Sequence, residues 1–165
     1  MRDLVDDLQA AWAEERPELD AEALSVVVRI QLLGRLLSRD AEQALEPLGL
    51  KLWEYDVLSV LRRQGRPYRL PASELARESM LSSGAMTTRI DRLEERGLVY
   101  READPADRRG VNVVLSEAGL SLVDQALAAR LEAAEIQLDS LPARERAAVS
   151  GGLRKLLLAQ TDNAA

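Results

Sequence analysis

Arg108 and Arg109 stand side by side in the stretch DPADRRG, where Pro105 and Gly110 supply the chemistry of a tight turn. Adjacent like charges repel, and a hairpin tip has no core to hold them. They are either solvated charge or two guanidinium forks presented to an anion. Arginine suits phosphate and the narrow minor groove of a duplex, where negative potential is concentrated. Asp107 can hold one of the pair and fix the shape of the tip. Just upstream, SSGAMTTRIDRLEERG has the spacing of a helix, with Ile90 and Leu93 within about 40° of Met86 on a buried stripe. Gly84, Thr87, Thr88 and Asp91 point the other way, and small hydroxyl side chains let a helix sit deep in a major groove. Ser83 and the free N–H groups of the first turn suit a phosphate, and Arg92 on the flank reaches phosphate or a base edge.

These residues need elements to position them. ASELARESM predicts a short helix after Pro71, with Ser73 a candidate cap and Leu75 and Ala76 facing inward. A brief turn at Met80 and Leu81 leads to the second helix, capped by Ser82 or Ser83 and stopped by Gly97. Two short helices on a tight turn describe a helix-turn-helix. LVYREA and VNVVLS then read as two strands of a wing with the arginines between them. Upstream, Leu4, Leu8 and Trp12 recur at helical spacing, and Asp20 can cap a long helix carrying Leu24, Val27, Val28, Leu32, Leu36 and Leu37 to about Leu48. Another helix carries Trp53, Val57 and Leu61 and stops at Gly65. Downstream, Ser116 caps a helix to about Leu138, and a last one follows SLPARE through Leu158. The expected organisation is one compact protomer: N-terminal extension and dimerisation helices over 1–50, a winged helix-turn-helix over 51–116, and C-terminal dimerisation helices over 117–165. Its fold class is mostly α with a two-stranded β wing.

Composition narrows the chemistry. The 165 residues contain no Cys and no His, which removes thiolate chemistry, Ser-His-Asp catalysis and most transition-metal sites. No carboxylate pair stands out, so no enzyme, cofactor or metal is expected. No run of about twenty apolar residues occurs, nor a basic start before an apolar stretch. The expected setting is therefore soluble and cytoplasmic, without a membrane partner. The net charge of −6 is unevenly spread. From Arg62 to Arg109 there are 11 Arg, no Lys and 8 acids, so a mildly basic middle lies between acidic flanks.

The stretch from Leu75 to Gly119 resembles the DNA-binding core of MarR-type winged-helix regulators. The likeness is carried by the "LA" of the first helix, the recognition helix ending TRIDRLEERGLV, the DPADRR wing and the LSEAG entry to the next helix. It implies a homodimer knitted by its terminal helices, binding a pseudo-palindromic operator in double-stranded DNA and released by a small ligand. Leu122, Leu127, Leu131, Leu153 and Leu156 are the expected interface positions, those not needed for the intrachain core.

The helix before Pro17 resembles the extension of the urate-responsive subgroup. There a Trp in that helix, an Asp ahead of the helix-turn-helix and an Arg in the recognition helix form the ligand site. The matching positions are Trp12, Asp56 and Arg89; the subgroup's Asn eight residues after the Asp is Gln64 here. Physically, Trp12 offers a stacking face, Asp56 a half-buried carboxylate and Arg89 a fork about 60° from the buried stripe. A purine anion such as urate can use all three. The bland readings are a packing role for Trp12 and a structural Asp56–Arg89 bridge. Aromatic acids and tricarboxylates are the competing effectors, and a winged-helix protein-interaction module is the competing function.

Overall fold

A computed structural model of the chain describes residues 2–103 and 110–162. Its order is α1 (Leu4–Glu15), α2 (Glu22–Leu45), a 3-10 turn (Glu46–Leu48), α3 (Leu52–Arg63), β1 (Arg69–Pro71), α4 (Ala72–Glu78), α5 (Ser83–Glu95), β2 (Val99–Ala103), β3 (Val111–Leu115), α6 (Glu117–Gln137) and α7 (Ala143–Asp162). The core sits where α3, α5, β3 and α6 meet. Val57, Leu58 and Leu61 of α3 close on Ile90 and Leu93 of α5, Val113 of β3, and Val123 and Ala126 of α6. Burying so many branched side chains, at about 25 cal/mol per Å² of apolar surface, is what holds the helix-turn-helix on α3.

The expected wing hairpin is present: Val99 pairs with Leu115 and Ala103 with Val111 in antiparallel register. The structure adds a strand that periodicity did not signal. β1 is three residues long and contains Pro71, yet it pairs with β3 through Arg69 and Val114, giving the order β1-β3-β2. Proline fits there because β1 is an edge strand whose ladder bonds come from one side only.

Three local expectations are corrected. α1 buries Val5, not the Leu4/Leu8/Trp12 stripe; Leu4 and Trp12 are exposed. Arg29 of α2 explains the rotation, bonding Asp3 at 2.9 and 3.0 Å and Asp6 at 2.6 Å and so turning Val5 inward. Asp20 accepts the Glu22 N–H, but the cap position of α2 is Ala21. Ser73 does not cap α4, whose N-cap is Pro71 without a side-chain bond. Ser116 does cap α6, accepting from the Gly119 N–H at 2.9 Å and donating to the Gly97 carbonyl at 2.7 Å. Gly119 lies against the Leu98 carbonyl, 2.0 Å from where a Cβ would stand, so only glycine fits.

Apolar surface remains. Leu24, Val27, Leu36 and Leu37 of α2, Leu127 and Leu131 of α6, and Leu153 and Leu156 of α7 are exposed in the protomer, whereas Leu122 packs against the core. No helix among the described residues is long and apolar enough to cross a membrane.

Candidate functional site

α5 is built to show one face and bury the other. Ser82 caps it, its Oγ accepting from the Ala85 N–H at 3.3 Å, and the buried stripe is Met86, Ile90 and Leu93. Ser83, Thr87, Thr88 and Arg92 are all exposed on the helix. The two threonines are not free rotors. Thr87 Oγ1 donates to the Ser83 carbonyl at 2.9 Å and Thr88 Oγ1 to the Gly84 carbonyl at 3.2 Å. Each hydroxyl therefore spends its proton on the helix and turns acceptor lone pairs and a methyl outward. That combination suits an exocyclic amine or a thymine methyl in a major groove. Arg92 has no ion-pair partner among the described residues. Asp107, Arg108 and Arg109 lie outside the described residues.

The wing is tied to this helix. Arg101 of β2 reaches Asp91 through Nη2 at 2.5 Å and Glu94 through Nη1, and its backbone N–H donates to Glu94 at 3.1 Å. One guanidinium is thus shared by two α5 carboxylates and offsets part of the negative charge that would otherwise face a polyanion. Sequence reasoning missed Arg101, although a basic strand residue beside an i, i+3 acid pair is a readable sign.

Behind α5 lies a crevice of about 360 Å³ lined by Asp56, Ser59, Val60, Arg63, Glu78, Ser79, Met80 and Arg89. Asp56 and Arg89 are therefore brought together, but they form no ion pair. Arg89 instead lies over Trp53, one turn earlier on α3, 5.3 Å from the ring centroid. Asp56 is exposed as a residue, yet enclosure of its carboxyl raises its pKa above the ordinary 3.8, an effect that Arg130 and Arg89 partly oppose. Trp12 does not line this crevice in its own protomer. It sits with Arg16, Leu19 and Leu24 in a separate hollow of about 330 Å³ between α1 and α2, and the Trp53 ring under Arg89 lines another hollow, beside Leu50 and Lys51. Gln64 donates to the Val60 carbonyl at 3.2 Å and to Glu78 at 3.4 Å, bracing the crevice wall.

Two residues of the helix-turn-helix turn, Ser79 and Met80, also line the crevice. The Ser79 Oγ is buried without a hydrogen-bond partner. Met80 has a left-handed backbone, φ +53°, and is 90 % exposed. No cluster of potential metal ligands occurs among the described residues.

The pattern that defines the MarR family matches residues 48–110. The chain is 32 % identical over 128 residues to the HTH-type transcriptional regulator PecS of Dickeya dadantii, covering 78 % of this chain and 77 % of PecS. It is 33 % identical over 118 residues to the HTH-type transcriptional repressor NicR of Pseudomonas putida, covering 70 % and 71 % of the two chains. Among solved structures, AbsC from Streptomyces coelicolor, a MarR family transcriptional regulator, superposes with a TM-score of 0.77 at 26 % identity over 87 % of this chain and 97 % of AbsC. A mutant MarR from E. coli complexed with operator DNA gives 0.73 at 25 % identity over 94 % and 99 %.

Proposed function

The chain belongs to the MarR family of DNA-binding transcriptional regulators, a non-enzymatic family, and we propose that it acts as a homodimeric repressor released from its operator by a small planar anion of the urate type. Ser83, Thr87, Thr88 and Arg92 enter the major groove. Arg108 and Arg109, braced by Asp107, carry the wing into the adjacent minor groove. The exposed leucines of α6 and α7, joined by the apolar positions of α2, bury the dimer interface and space two recognition helices for a pseudo-palindromic site.

One observation carries this reading: the DNA-facing side of α5 and the crevice are two faces of the same helix, with Arg89 on the inner one. A ligand that pulls Arg89 off Trp53 moves the helix that reads DNA. Such coupling between two sites is typically worth about 1–3 kcal/mol. Asp56 and Glu78 accept ring N–H groups, and Arg63 and Arg89 meet the anionic edge. Lining of both signs suits a heterocycle with N–H donors and a single negative edge. Two carboxylates in the lining disfavour a tricarboxylate, whose charges would face them.

The test is fluorescence anisotropy of the protein on labelled DNA from upstream of its own gene, titrated with urate. The expected result is saturable loss of binding that disappears in Arg89→Ala. Tight binding that urate leaves untouched would overturn the effector assignment. Absence of any sequence-dependent binding, across DNA selected from a random pool, would overturn the repressor reading.

A further inference from the structure

Nothing inside the protomer explains why residue 84, exposed on the outward face of α5, is glycine. Gly97 has a left-handed backbone at φ +68°, and at Gly119 a Cβ would strike the Leu98 carbonyl. Neither reason holds at Gly84. Its backbone is not left-handed, and a Cβ built there would meet no atom of the described residues within 4 Å. Alanine is the better helix former at an open helical position, so the local chain gives glycine no advantage. What a missing side chain does supply is close approach from outside. The neighbours give that space a shape. Thr87 and Thr88 lie about 60° and 40° to either side of Gly84, one turn on, and helical side chains lean back over the preceding turn. Their hydroxyls are pinned, Thr87 Oγ1 to the Ser83 carbonyl at 2.9 Å and Thr88 Oγ1 to the Gly84 carbonyl at 3.2 Å. Both side chains are thereby held as walls beside an open Gly84 Cα.

We propose that Gly84 is a specificity-determining residue, and that the pit it floors seats the C5-methyl group of a thymine in the major groove. This rests on the assignment of α5 to that groove given above. Thymine is the base that presents a methyl on its major-groove edge, and apolar contact is how proteins read it. Any side chain at position 84 would fill the pit; glycine leaves it open. Thr87 and Thr88 supply apolar walls, and their acceptor lone pairs stay available for the exocyclic amine of a neighbouring adenine or cytosine. The operator half-site therefore contains a thymine that cytosine cannot replace, since cytosine carries no C5-methyl.

Fluorescence anisotropy on a duplex that the wild-type protein selects from a random-sequence pool tests the assignment. Each thymine is replaced in turn, in both half-sites together, by deoxyuridine, which lacks only the C5-methyl. At one position the wild type should bind about fourfold more weakly per half-site, the effect of one methyl no longer buried. Gly84→Ala should bind the thymine duplex at least about tenfold more weakly, because its Cβ overfills the pit. At that same position deoxyuridine should restore its binding, the methyl of the protein taking the place of the methyl of the DNA. Its melting temperature should be no lower than that of wild type, which separates lost contact from lost folding. If no deoxyuridine affects the wild type, or Gly84→Ala binds the thymine duplex as tightly as wild type, the methyl seat is wrong and the reading of α5 stands. An equal loss on both duplexes would put the DNA backbone, not a base methyl, against Gly84 and overturn the assignment. If the selection yields no preferred sequence, the seat and the reading of α5 fall together.

Discussion

The guanidinium of Arg89 rests on the ring of Trp53, 5.3 Å from its centroid, and leaves Asp56 without an ion pair to it. At Arg89 the recognition helix thus meets α3 through a cation–π contact, not through a salt bridge to Asp56. Such a contact is worth about 0.5–1 kcal/mol at an exposed site. It is easily exchanged for a ligand that offers Arg89 a better acceptor. Double-mutant cycles on thermal or denaturant stability should give Trp53/Arg89 a coupling of about that size. The Asp56/Arg89 cycle should give a smaller one, because only unbonded Coulomb attraction joins them. A larger Asp56/Arg89 coupling would restore the salt-bridge reading.

Asp56 also predicts a pH dependence of definite sign. Enclosure raises its folded pKa above 3.8, so the folded state holds the proton more tightly than the unfolded chain. The stability this contributes is complete below 3.8 and is lost as the pH rises through the raised value. Asp3 and Asp6 behave oppositely. Arg29 and the Asp6 N–H hold Asp3 down, and the Asp3 N–H with Arg29 holds Asp6 down, so their contribution is lost as the pH falls. Asp56→Asn should therefore melt progressively higher than wild type as the pH rises from about 4 to 7, with the difference levelling once Asp56 is ionised. A constant difference over that range would mean that Asp56 titrates normally.

A stabilising clasp lies at the same N-terminal end of α3, on the residue next to Trp53. Glu54 is buried, and its Oε2 accepts from the Lys51 N–H at 2.8 Å and from Arg96 at 2.6 Å; Arg96 also donates to the Gly49 carbonyl at 3.0 Å. The C-cap of the recognition helix, Arg96, is thereby fastened to the start of α3. Arg96→Ala leaves a buried carboxylate with one N–H for company. With Arg96 itself partly exposed, the expected cost is about 2 kcal/mol, below that of a fully buried pair. Glu54→Gln in the same background should recover part of it, measured by urea unfolding. Additive single losses would show that the pair is not coupled.

Why these contacts were or were not legible in the sequence follows from their range. Met86, Ile90 and Leu93 were readable because helical period alone puts them on one face, and Gly97 because a positive φ of 68° favours glycine. The wing hairpin was readable from alternation and turn residues. Trp53 beneath Arg89 was not, because the contact spans two helices whose crossing is set by core packing. Trp12 attracted attention through local spacing, but the Arg29 clamp on Asp3 and Asp6 sets the rotation of α1 and carries the indole elsewhere. β1 was missed for a related reason: three residues ending in proline make a strand only when β3 is already beside them. The crevice was half legible, since Asp56 and Arg89 are charged residues near apolar stripes. Its other wall, Ser79 and Met80, reads as an ordinary turn, because only the packing of α4 against α3 brings that turn to Asp56 and Arg89.

Arg92 and Arg101 make contrasting predictions for DNA. Arg92 is exposed on α5 and free of ion pairs among the described residues, which leaves it available for the phosphate or base-edge contact proposed above. Arg101 is already committed to Asp91 and Glu94, holding β2 against α5 and offsetting part of their negative charge. Phosphate contacts release counterions, and each lowers the slope of log K against log salt by about one when removed. If Arg92 meets phosphate, Arg92→Ala should make that slope shallower by about one per protomer, with modest loss of affinity at high salt. Arg101→Ala should weaken binding by a similar factor across the salt range and leave the slope nearly unchanged, because no counterion is released through a side chain that touches no phosphate. Arg101→Lys should not rescue it, since one ammonium cannot reproduce a fork shared between two carboxylates. Anisotropy titrations at four salt concentrations separate the two. A shallower slope for Arg101→Ala would show that Arg101 leaves its acids and binds the backbone itself.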